Sequence, residues 1–156
     1  MFHYELAEQL RDHLNQNQKD WSDNGVLAKV ELDPELCLLR EYGVYIIPDF
    51  VQYNIEGSGT RARSGRHSVN ETLFCSLIVS KVFEHLRSEH SDGVANWDEV
   101  VPIIKMRHKA ERVLCSFGSP TLTLTDVEPQ PLVEEELENR NFIAITTFGF
   151  NQVVCV

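Results

Sequence analysis

The sequence has little of what enzymatic chemistry usually requires. Its four cysteines, Cys37, Cys75, Cys115 and Cys155, form no CxxC pair and have no histidine at zinc-finger spacing, which excludes the common structural zinc modules. They read instead as reduced, packed apolar fillers, because free cysteine is among the most buried residue types. The six histidines are scattered, and His85 with His90 falls outside the i, i+4 register of a helical metal motif. No glycine-rich phosphate loop and no nucleophile elbow is present. Apolar runs fall well short of the roughly 18 residues that a membrane-spanning helix needs. The N-terminal stretch Met1 to Leu6 lacks a basic region followed by an apolar core, so no secretory signal is expected and the chain is expected to be soluble and used inside a cell. A net charge of −10 argues against generic nucleic-acid binding, which draws on clustered Lys and Arg.

What is present is an ordered series of periodic segments. A length of 156 residues fits one domain, here residues 1–156, able to bury about two-thirds of the surface its unfolded chain exposes. Phe2, Leu6, Leu10 and Leu14 recur at four-residue steps among charged residues and predict a helix from Phe2 to Gln16 that buries one stripe. A polar, turn-rich stretch through Gly25 ends it. Ala28 to Leu32 alternates as a half-buried strand does, and Pro34 closes it.

Gly43 to Ile47 is β-branched and aromatic. Pro48 then requires an end, a bulge or an edge, and Phe50 to Ile55 resumes the strand. Ser68 to Phe83 predicts a second long strand, with Leu73, Cys75, Leu77 and Val79 on one face, so the pair forms a hairpin around a Gly-Ser loop. Asn96 and Glu99 have capping-box spacing, and the apolar periodicity from Val100 to Phe117 predicts a helix running to Gly118. Pro102 places either a short turn before it or the start of the helix at it. Thr121 to Thr125 and Asn141 to Phe150 read as strands. Glu128 to Pro131 between them is extended, and Val133 to Asn139 reads as a solvated hairpin arm. The apolar C-terminal residues, Val153 to Val156, are expected to dock on something, a neighbouring subunit included. The fold class is α/β (α+β): a mixed, mostly antiparallel sheet of about four to five strands with a long hairpin, packed against two main helices.

The sharpest local feature is the segment Gly57 to His67. It places Arg61, Arg63, Arg66 and His67 in a glycine-punctuated loop of an acidic protein. Guanidinium groups there suit an acidic partner, a phosphate or the acidic surface of another copy, and the plain alternative is a solvated loop. The acidic run Glu134, Glu135, Glu136 and Glu138 reads as a solvated face and as a complement to that loop. Asp49, Asp126 and Glu128 near strand ends are the carboxylates a metal-dependent hydrolase would draw on, but Asp49 lacks a following Glu-x-Lys and Asp126 to Pro129 has the context of a turn. Trp21 and Trp97 read as core or interface anchors.

Taken in order, the leading helix, the strand Gly43 to Pro48, the loop-linked hairpin, the middle helix and the closing segments Leu122 to Leu124 and Asn141 to Ile145 resemble the small tail-terminator and tail-completion proteins of tailed bacteriophages. The resemblance spans nearly the whole chain and rests on element order. It implies a non-catalytic virion protein, assembled in the host cytoplasm, without catalytic, cofactor or metal residues. Its copies would form a ring, expected to be a hexamer, that caps the tail tube. The implied partners are the chain itself, the tail tube protein and the head–tail connector or neck proteins, with DNA passing through the lumen unread and no membrane. A head–tail connector or another non-catalytic adaptor is the alternative, and a small metal-dependent hydrolase the third reading.

Overall fold

Leu6, Leu10 and Leu14 are fully buried and fasten the first helix, α1 (His3–Gln16), to the rest of the chain. At about 1.5–3 kcal/mol for each fully buried aliphatic side chain, this stripe rather than helix propensity holds the helix. Phe2 N–H donates to Glu5 Oε2 at 2.8 Å, which closes the first turn. A short helix, α2 (Gln18–Trp21), follows, and Trp21 is fully buried with its Nε1–H donating to the Leu14 carbonyl at 2.7 Å. Phe2 departs from the expected stripe: it is 70% exposed and its ring stacks near that of Tyr4, with centroids 6.5 Å apart. It is the residue before the helix, and its ring is turned to solvent instead of the sheet.

The computed structural model describes residues 1–23, 25–33, 42–54, 68–83, 97–131, 133–136 and 140–155. After α2 come β1 (Ala28–Val30), β2 (Tyr42–Asn54), β3 (Ser68–Phe83), a long helix α3 (Trp97–Cys115), β4 (Thr123–Pro129), β5 (Val133–Glu136) and β6 (Arg140–Cys155). The strands form a mixed sheet in the order β1-β2-β3-β6-β4, with β1 parallel to β2 and the other pairs antiparallel. β3 pairs with β6 along its entire length, so β4 and β5 follow one another on the remaining edge of β6. Just past the end of β4 the Gln130 N–H donates to the Ile145 carbonyl at 2.8 Å and keeps the chain on β6.

One sheet face, with Val44, Ile46, Leu73, Leu77, Phe148 and Phe150, packs against α1 and the apolar side of α3, where Val100, Ile103, Met106 and Leu114 are buried. The opposite face holds a second, smaller buried cluster of Tyr45, Ile47, Ile78 and Ile143. Asn15 anchors β1 to α1: its Nδ2 donates to the Ala28 carbonyl and its Oδ1 accepts from the Ala28 N–H, at 3.0 and 2.8 Å.

The mixed sheet, the long β2–β3 hairpin and the two main helices agree with the sequence reading, and the short β5 adds a sixth strand to the five-strand path. The hairpin arm expected at Val133 to Asn139 is observed over Val133–Glu136, where β5 pairs antiparallel with β6. Two expectations are corrected. α3 starts five residues before Pro102 and runs through it, because Pro102 is exposed and forfeits one backbone hydrogen bond near the helix start. Of the three cysteines among the described residues, Cys75 is packed while Cys115 and Cys155 are exposed, because one ends α3 on its outer side and the other lies where the strands outrun the core. The C-terminal residues Val153 to Cys155 do dock, on this chain's own β3, opposite Asn70 to Ser68. None of the helices among the described residues is long and apolar enough to cross a membrane.

Candidate interaction surface

The first turn of α1 marks the level at which the two layers end. The Met1 ammonium donates to Gln152 Oε1 at 3.3 Å, and Gln152 Nε2 donates to the Met1 carbonyl and to Glu71 Oε2, both at 2.9 Å. The His3 ring bonds the Phe74 carbonyl through Nε2. Past this level β2, β3 and β6 run on together, with Asn54 opposite Asn70, Asn70 opposite Val153, and Ser68 opposite Cys155. From Glu71 to Ser68 the extension is about 10 Å at the rise of a strand. Its side chains are exposed or half-buried, including Tyr53 at 58% and Val153 at 64% exposure.

Pro48 cannot donate a ladder hydrogen bond, and the register shifts beside it between Pro48 and Phe50, leaving Asp49 as the extra residue. The bulge turns Asp49 and Phe50 toward the face away from the helices. Asp49 accepts a short hydrogen bond from Ser76 Oγ, which also lies 3.5 Å from Thr147 Oγ1. Burial pushes the Asp49 carboxyl above its ordinary value, against the smaller lowering effects of the Ser76 hydrogen bond and the His3 charge. Phe50 stacks on Phe74 at 4.5 Å between centroids and 22° between planes while remaining 55% exposed. Phe74 in turn covers Gly149 on β6, where a Cβ would lie 2.9 Å from its ring. The result is a braced aromatic step on an open sheet face, with Asp126 beside it on β4.

Of the residues singled out from sequence, Arg61, Arg63, Arg66, His67 and Glu138 lie outside the described residues, as do His85 and His90. The segment bearing the arginines joins the ends of β2 and β3, at the projecting end of the sheet. Glu134, Glu135 and Glu136 lie on β5, in register with Phe142, Asn141 and Arg140. Asp49 is on β2 whereas Asp126 and Glu128 are on β4, with β3 and β6 between, so these carboxylates do not converge. Among the described residues no group of three or more His, Cys, Asp or Glu side chains is placed to hold a metal ion.

Sequence reasoning passed over Phe50, Tyr53 and Tyr4 as contact residues, all more than half exposed, whereas Val153, also more than half exposed, belongs to the C-terminal run it had singled out. Single exposed apolar side chains are ordinary. Here Met1, Phe2 and Tyr4 stand at the start of α1, and Tyr53 and Val153 stand on opposite faces of the strands that run past it, so apolar groups are exposed on both sides of this end. The signal that would have found them is strand length: β3 and β6 at 16 residues each are longer than a 14-residue helix, at under half the rise per residue, can cover. Comparison of the chain with protein-family models and with curated proteins matches none of them.

Proposed function

We propose that this chain is a non-catalytic structural subunit that assembles with copies of itself into a ring. In keeping with its resemblance to tail-terminator and tail-completion proteins, the ring would close a phage tail tube and offer a face to the neck. The observation that carries this reading is the end at which β2, β3 and β6 outrun the helices, where Tyr53 and Val153 are exposed, together with Phe50 exposed on the sheet face leading to it. Paired strands present apolar groups at little entropic cost, which favours a repeated contact between like subunits. In the assembled ring Arg61, Arg63 and Arg66 extend this end toward the lumen or the adjoining ring, and the glutamates from Glu134 to Glu138 meet a basic partner surface.

Native mass spectrometry of the purified chain over a concentration series, with and without magnesium, tests the reading. A ladder ending at a closed ring, six copies in the expected case, supports it. Replacing Phe50, Tyr53 and Val153 together by serine is expected to shift that ladder toward monomer without unfolding the subunit. A strict monomer that also fails to join isolated tails counts against the ring, and a retained metal ion would favour a hydrolase.

A further inference from the structure

Among the described residues the outer face of α3 presents a basic stripe in an acidic protein. Residues 105 to 112 contain four of the chain's 14 Lys and Arg residues. Lys105, His108 and Arg112, spaced i, i+3 and i+7, are all exposed on one stripe. The two remaining cations are engaged elsewhere: Arg107 Nη1 donates to the Gln130 carbonyl at 2.7 Å, and Lys109 Nζ lies 3.1 Å from Asp23. Glu111, the one acid in that segment, is buried and accepts from Thr146 Oγ1 at 2.9 Å, and its other oxygen lies 3.7 Å from His108 Nδ1, which leaves Lys105 and Arg112 as the open charges of the stripe among the described residues. Lys105 and Arg112 have no ion pair among the described residues.

The matching surface is on the other side of the molecule. Asp126 and Glu128 alternate along β4 with Val127, which packs into the helix-side core, so both carboxylates point to the opposite face and both are exposed. Asp49 lies on that same face. Lys105 and Arg112 thus stand on the helix side, and Asp49, Asp126 and Glu128 on the strand side, of one two-layer body.

We infer that the basic stripe of α3 docks on the acidic strand face of a second copy of this chain. The inference rests on the ring reading above and names the surfaces that meet. Because the two surfaces differ, the contact is heterologous: each copy uses its helix side on one neighbour and its strand side on the other. Such contacts build closed rings or filaments and not twofold dimers. Duplex DNA is the less favoured occupant, since the stripe spans only about 10 Å of helix and would neutralise few phosphates. Electrostatic pairing of this kind weakens with ionic strength as screening shortens to within about 10 Å.

Sedimentation velocity on charge-reversed chains tests the inference. Lys105→Glu with Arg112→Glu, and separately Asp126→Lys with Glu128→Lys, are each expected to weaken self-association by at least about tenfold, and mixing the two variants should restore it. The neutral pair Lys105→Gln with Arg112→Gln guards against a folding defect and should weaken assembly less than reversal does. A wild-type ring that both reversed variants form equally well would overturn the docking faces and leave the ring reading standing. A wild-type chain that stays monomeric at every concentration and salt would overturn both. Salt-sensitive DNA binding lost in the Lys105 and Arg112 variant, with assembly unchanged, would reassign the stripe to nucleic acid.

Discussion

The Tyr45 ring lies over Gly43, two residues earlier on the same face of β2. A Cβ at Gly43 would fall 2.2 Å from ring atoms of Tyr45, which is 2% exposed and has no open space to move into. Glycine here makes room for an aromatic ring inside the smaller of the two cores. Gly43→Ala is therefore expected to destabilise the fold by about 1–3 kcal/mol, the usual cost of overpacking, as read by urea denaturation. A stability unchanged within error would mean that the ring does not fill that site.

Much of this architecture was legible because it is local. The stripe at Leu6, Leu10 and Leu14, the alternation of Leu73 to Val79 and the missing donor at Pro48 each act through neighbours in sequence, and each led to the element observed. The parallel pairing of Ala28 with Val44 and the central pairing of β3 with β6 were not legible, since they join segments whose adjacency is set by packing. Pro102 and Phe2 misled for the same reason. Propensity marked one as a helix boundary and periodicity marked the other as core, while tertiary position decided both. The interaction surface was the least legible part, because exposure of Tyr53 depends on where the helices stop and that of Phe50 on which way the bulge at Asp49 turns it.

The buried pair of Glu111 and Thr146 joins α3 to β6 across the main core. Thr146 is fully buried and its hydroxyl is the donor to the Glu111 carboxylate, whose other close neighbour is His108 Nδ1 at 3.7 Å. Thr146→Val keeps the shape and removes the donor, leaving a buried carboxylate short of a partner. A loss of about 1–3 kcal/mol is expected, and Thr146→Ser, which keeps the hydroxyl, should lose less. If valine proves as stable as threonine, water reaches Glu111 and the pair is not a tether.

Asp49 makes stability depend on pH in a direction opposite to that of a salt-bridged carboxylate. Its folded-state pKa is raised above the ordinary 3.8, chiefly by burial, so the folded chain binds the proton more tightly than the unfolded chain does. The contribution is fully present below pH 3.8 and is lost as pH rises through the raised value. Asn at this position still accepts from Ser76 Oγ and does not titrate. The stability of the wild type relative to Asp49→Asn should therefore fall as pH rises across that window. A difference that is flat with pH, or that rises, would show that the Ser76 bond and the His3 charge outweigh burial.

The three described cysteines should separate by reactivity. Burial, with a smaller effect of the Asp49 charge, pushes the Cys75 thiol up to about 12, and the side chain lies in the main core beneath the helices. Cys115 and Cys155 are exposed, although partial burial and the Glu111 charge raise the Cys115 thiol. Because the thiolate is the reacting species, a chain carrying Cys37→Ser should take up a thiol-specific reagent at Cys115 and Cys155 in the native state and at Cys75 only after unfolding. The rate at Cys115 should climb as pH passes above 9.0. Assembly adds a second reading to the same experiment. Cys155 is on the projecting end of the ladder and Cys115 at the end of the basic helix, so ring formation through both surfaces should slow labelling at both sites. Protection of Cys155 alone would assign the contact to the strand extension and remove the α3 stripe from the interface.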